Sequence, residues 1–168
     1  MRAILSFAAA CKGGGEMAHT NRARVVLGGL LAGLVINIIE FLTHGVILAT
    51  AWSQAMQALG KPAGGPSTGA IVMFNIMGFA LGIASVWVYA AIRPRYGAGP
   101  TTAFRAALAV WAIGAVLPNL GTYAIGIFPT RLLAIATVAS LVDILIGTLA
   151  GAKVYTEQPA QIARAAGA

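Results

Sequence analysis

Charge is the scarcest resource of this chain. Charged residues make up 9% of it, and only 4 residues are acidic; soluble domains carry about 25% charged residues. With 59% hydrophobic residues, arranged in spans of about 20 or more, the composition excludes a soluble globular fold. Cysteine is nearly absent too. The single Cys11 excludes an internal disulfide framework and leaves no CxxC metal signature. Of the two histidines only His44 falls within an apolar span, His19 lying outside, so one chain cannot supply bis-His ligation of a haem within the membrane. No Walker loop, Ser-His-Asp arrangement or HExxH pattern occurs, so no enzymatic chemistry and no cofactor are read from the chain.

What is present is a set of four apolar spans, over about 25–51, 69–92, 102–127 and 131–154. At 168 residues they form one membrane domain, 17–155, and the expected fold is all-α, a four-transmembrane-helix bundle. The net charge of +7 would suggest nucleic acid in a soluble protein. Here the placement of the charges argues for a bilayer instead. Arg2, Lys12, Arg22, Arg24, Arg93, Arg95, Arg105, Lys153 and Arg164 fall on one side of the topology, and only Lys61 and Arg131 on the other. This positive-inside asymmetry puts both termini in the cytoplasm, with Arg93, Arg95 and Arg105 facing anionic headgroups. The expected location is a bacterial cytoplasmic membrane.

Residues 1–16 look foreign to this plan. Lys12-Gly13-Gly14-Gly15-Glu16 before Met17 reads as translated leader, its codons able to spell a purine-rich ribosome-binding sequence, with Met17 the native start. Ala8-Ala9-Ala10-Cys11 resembles a lipoprotein cleavage site, but export of the N-terminus contradicts the charge asymmetry. From 156 to 168 the chain is a polar, Ala-rich tail, expected to be mobile.

Each span carries a stripe of small or polar residues at helical spacing. Span one shows Gly29, Gly33, Asn37, Glu40 and His44, ending at Trp52 in the interfacial belt. A short interfacial helix with Trp52, Met56 and Leu59 follows, then the Gly- and Pro-rich loop 60–67. Span two shows Asn75, Gly78, Gly82, Ser85 and Tyr89, with Pro94 expected to stop it. Thr101 or Thr102 is the expected N-cap of span three, whose face carries Ala112, Ala115, Asn119, Thr122 and Gly126, with Tyr123 beside it. Pro118 is expected to kink that span. Span four shows Ser140, Asp143, Gly147 and Gly151. The pairs Gly29/Gly33, Gly78/Gly82 and Gly147/Gly151 are GxxxG motifs, which let neighbouring backbones approach.

Two of the four acids, Glu40 and Asp143, lie inside spans with no Lys or Arg at comparable depth. A charge there is costly, and intramembrane acids are the working parts of proton relays and proton-coupled carriers. Glu40 and Asp143 are therefore the leading site candidates, able to share a proton. The alternative partner is His44, one turn beyond Glu40, able to pair with it as imidazolium instead. Asn37 lies close to the acids, whereas His44, Asn75, Asn119, Thr122 and Tyr123 map to the outer half. Asn37, Asn75, Asn119 and Tyr123 complete the candidate proton- and solute-binding set. The bland reading is that the acids and amides only hydrogen-bond across helices. A third reading gives Glu40, His44 and Asp143 to a metal, since i,i+4 spacing suits two ligands.

Around Glu40, Leu27-Gly28-Gly29 with Ile39-Glu40-Phe41-Leu42-Thr43 resembles the first helix of the small multidrug resistance transporters. That resemblance implies a coupling carboxylate at Glu40. His44-Gly45 with the amphipathic segment after it is similar to DoxX-type four-helix proteins. The whole plan looks like that of small four-helix bacterial membrane proteins. The function expected from the sequence is a small proton-linked solute transporter, self-associating through its Gly stripes. The alternatives are a non-transporting assembly subunit and a metal-binding or redox accessory protein.

Overall fold

A computed structural model describes residues 20–62 and 64–156. The proposed leader, Cys11, His19 and all but the first residue of the proposed tail lie outside them. The described chain is helical, with four helices long and apolar enough to cross a membrane.

The first span is α1 (Arg22–Glu40), capped by Asn21, whose Oδ1 accepts the Arg24 N–H at 3.2 Å. It runs on into a π-helical turn, Phe41–Ile47, in which the Leu48 N–H reaches back to Thr43 O at 2.8 Å. A short helix, α2 (Ala49–Ala58), follows. Span one therefore stops at Ile47 rather than at 51, and Trp52 belongs to α2. The widened turn lets Leu48 leave the helical path (φ −98°, ψ 4°), a break that apolar periodicity does not register.

The second span, α3 (Thr68–Tyr96), is capped by Ser67. It passes through Pro94 and stops at Gly97, whose φ is +82°. Pro94 removes one donor near the helix end, which a last turn tolerates; the left-handed residue is what turns the chain. The third span starts with α4 (Pro100–Trp111), with Pro100 in its first turn and no side-chain cap. Thr102 is not its N-cap. The Thr102 hydroxyl donates to Gly97 O at 2.8 Å, closing the end of α3 instead. A second π turn, Ala112–Val116, leads into α5 (Leu117–Ile125), with Pro118 in its first turn. The irregularity expected at Pro118 thus takes the form of a wide turn just before it. Gly126, at φ +71°, ends α5, and α6 (Thr130–Val154) is the fourth span.

Glycine decides how these helices meet. A Cβ on Gly33 would stand 2.6 Å from Phe79 Cα, and one on Gly29 2.5 Å from Ile83 Cα. Gly82 in turn lies directly on the Gly29–Gly33 backbone, and Gly78 on the Asn37 side chain. On the other side of α1, a Cβ on Gly151 would lie 2.5 Å from Gly28 O, and one on Gly147 2.7 Å from Ile36 Cγ1. All three GxxxG pairs are therefore contact points, and α1 is the central helix, clasped antiparallel by α3 and α6. The acid register follows. One turn beyond the Ile36–Gly147 contact, α1 reaches Glu40 and α6 reaches Asp143.

Span three packs through its first half. Thr102, Ala103, Ala106, Ala107 and Val110 are buried against the other spans, whereas nothing in α5 is. Nothing in α3 before Gly78 is buried either. The bundle is tight at the end that carries Arg22, Arg24, Arg93, Arg95, Arg105 and Lys153 and loose at the end that carries Lys61 and Arg131. At the tight end Arg105 stacks over Tyr96 at 4.7 Å, and Arg93 over the buried Tyr155 at 5.4 Å.

Candidate functional site

Asp143 and Glu40 meet where the tight packing gives way to the loose end. Asp143 is 1% exposed, enclosed because α6 is the most buried of the spans. The Glu40 carboxyl, its side chain 38% exposed, is within side-chain hydrogen-bonding reach of Asp143. Two carboxyls make such a bond only when at least one of them is protonated, so the pair can close only while it holds a proton. The second Asp143 oxygen, Oδ1, is buried and has no hydrogen-bond partner. Buried polar atoms are rarely left so. This one faces the interior with acceptor capacity to spare.

The chain of contacts extends outward from Glu40. His44 Nε2 lies 3.3 Å from Glu40 Oε2. The other ring nitrogen, Nδ1, accepts the indole N–H of Trp52 at 2.9 Å. Trp52 reaches back over His44 because α2 folds onto the start of α6 through Leu48, Ala55 and Leu132, with Phe128 edge-on to the indole at 5.3 Å. This geometry corrects the imidazolium alternative read from sequence. An indole nitrogen only donates, so Nδ1 must offer a lone pair, and the one ring proton sits on Nε2, toward Glu40. Trp52 is the site residue that sequence reasoning missed. Its apolar, interfacial character concealed a polar role, and only the break at Leu48 turns it inward.

The amides fall elsewhere. Asn37 Nδ2 donates to Asn75 O at 3.2 Å and joins α1 to α3. The Asn75 side chain donates to Ile71 O of its own helix at 2.8 Å. Neither amide is seen to contact the acid pair. Asn119 donates to Thr137 Oγ1 at 2.7 Å, and Trp111 to Thr137 O at 2.8 Å, so these two fasten span three to α6. Tyr123 is 55% exposed on α5 and points away from the packed interior. The outer-half polar residues are thus three separate groups, because helical spacing gives a face but not the neighbour across it.

Among the described residues no three His, Cys, Asp or Glu side chains are grouped so as to hold a metal ion. The metal reading of Glu40, His44 and Asp143 is corrected accordingly. His44 has one nitrogen committed to Trp52 and turns the protonated one to Glu40, so it has no lone pair left for a ligand bond. The acid pair also lies apart from a cleft of about 470 Å³ between α2 and α6, walled by Leu48, Ala55, Arg131, Leu132 and Ile135.

No family model matches the chain, and no curated protein and no solved structure matches it either.

Proposed function

We propose that the protein is a multi-pass membrane protein with both termini on the cytoplasmic side of a bacterial inner membrane, and that it couples proton movement to the passage of a small solute. The observation that carries the reading is the Glu40–Asp143 carboxyl pair at the boundary between the packed and open parts of the bundle. The orientation rests on the basic end, where anionic headgroups are the partners of Arg93, Arg95 and Arg105.

A hydrogen bond within the pair needs a proton on one of the two carboxyls. Losing that proton leaves two adjacent carboxylates, which at about 4 Å repel by about 4 kcal/mol even in an effective dielectric near 20. A packed interior offers no Lys or Arg to offset that. Release of the proton therefore has to be linked to another event, either arrival of a solute at the unpartnered Asp143 oxygen or rearrangement of the loose end. That linkage is what a coupled carrier needs. Glu40, half in the open, exchanges the proton; Asp143, enclosed, holds its counterpart.

Reconstituted protein with an internal pH-sensitive dye tests this. Wild type is expected to carry protons in response to an imposed gradient, in a manner changed by solutes added to one side. Glu40→Gln and Asp143→Asn are expected to abolish the flux while the purified variants keep the wild-type helical spectrum and elution volume. Unchanged flux in both variants would sink the reading. The non-transporting assembly subunit is favoured by a different observation, the glycine contacts of α1. It predicts that Glu40→Gln has full function whereas Gly33→Leu has none.

A further inference from the structure

We infer that Trp52 is the gate on proton access to Glu40, acting through the tautomer of His44; this rests on the proposed proton-linked role of the Glu40–Asp143 pair. Three observations place it there. Trp52 Nε1–H occupies the Nδ1 lone pair of His44 at 2.9 Å. The opposite nitrogen faces Glu40 Oε2 at 3.3 Å. Trp52 sits on α2, a separate short helix beyond the π turn, and not on span one with His44 and Glu40.

An imidazole passes a proton by taking one on one nitrogen and giving one from the other. For a proton arriving from the loose end, the step forms an Nδ1–H bond, breaks Nε2–H and forms O–H at Glu40 Oε2. Glu40 must be ionised to accept it, with the pair's remaining proton on Asp143 or already released. While the indole N–H is bound to Nδ1, that lone pair is taken and the step does not begin. Moving Trp52 away frees it. Afterwards the ring carries its one proton on Nδ1 and faces the indole N–H donor to donor, so Trp52 cannot return until that proton has moved back to Nε2 and restored the starting tautomer. The gate therefore admits one proton per opening. The ionisable groups about His44 are Glu40 on its own span and, behind it, Asp143 on α6; neither competes for Nδ1. The aromatic wall of Trp52 and Phe128, T-shaped at 5.3 Å, holds the indole in place. The helix carrying it is fastened to α6 by Leu48, Ala55 and Leu132, beside an open cleft.

Nitrogen-15 spectra of histidine-labelled full-length protein in lipid, on a His19→Gln background so that His44 is the one labelled ring, test the tautomer directly. The expected result is a pyridine-type Nδ1 and a pyrrole-type Nε2 in otherwise wild-type protein, with loss of that fixed pattern in Trp52→Phe. A protonated Nδ1 in the wild type overturns the inference without any transport measurement. In vesicles loaded with pyranine, Trp52→Phe, which keeps the aromatic packing on Phe128, is expected to leak protons several-fold faster than wild type. Trp52→Phe/Glu40→Gln is expected to lose that leak. A Trp52→Phe rate equal to or below wild type overturns the gate, and so does a fast leak that survives in the double variant. The underlying transport reading fails separately, by unchanged flux in the single variants Glu40→Gln and Asp143→Asn.

Discussion

Glu40 and Tyr123 are both polar groups on apolar helices, and the structure separates them by what they touch. Glu40 meets Asp143 and His44; Tyr123 is 55% exposed on a helix with no buried residue. Tyr123→Phe is therefore expected to leave flux unchanged and to shift stability by less than about 0.5 kcal/mol, as exposed substitutions do. Asn119 lies between these cases. Its bond to Thr137 at 2.7 Å joins two spans, and such interhelical bonds are worth about 0.6 to 1.7 kcal/mol. Asn119→Leu is expected to cost about that much in a detergent unfolding titration while keeping proton flux. Loss of flux at unchanged stability would instead put Asn119 in the transport path. Asp143→Asn should show the reverse pattern, abolished flux with a folded protein, because an amide fits the same space but cannot share a proton.

The helices distinguish glycines that are needed from glycines that are merely present. Gly147 has Ile36 and the Ala32 carbonyl where a side chain would go, at 2.7 and 2.9 Å. Gly121, on α5, has nothing within 4 Å. Gly147→Ala is expected to destabilise the protein by roughly 1 to 3 kcal/mol, the ordinary cost of overpacking. Gly121→Ala is expected to stabilise it by up to about 1 kcal/mol, because alanine is the better helix former. Thermal unfolding of the two variants side by side checks both signs. If they behave alike, α1 is not clasped by α6 at this register, and the Glu40–Asp143 contact goes with it. The π turns carry a related lesson. Both interrupt spans where side chains change neighbours, at His44 and ahead of Pro118, in keeping with the habit of such turns to occur at functional sites.

Considered whole, the molecule has a sealed end and an open one. Basic residues and stacked tyrosines close the first, while α5 and the first part of α3 leave the second loosely packed. Large apolar side chains such as Phe41, Trp87, Ile113 and Ile125 are 60% exposed or more, a surface suited to acyl chains and not to water. With Cys11 replaced by serine, Lys61→Cys is expected to react with a membrane-impermeant maleimide in intact cells. Arg95→Cys is expected to react only after permeabilisation. The opposite pattern would invert the topology and place the acid pair nearer the cytoplasm.

The number of long apolar helices, the antiparallel order, the three glycine motifs and the two acids within those helices were legible in the chain, because apolar length and helical periodicity are local properties of sequence. The ends of the helices were less so. Pro94 and Thr102 carry strong local preferences that Gly97 and the end of α3 overrode. What only the tertiary structure decided is who faces whom: that Glu40 meets Asp143, that Asn75 turns back on its own helix, and that Trp52 closes on His44. Those pairings depend on the angle and register at which helices pack, and on one break at Leu48. Such quantities arise between segments distant in the chain, where spacing along any single helix carries no record of them.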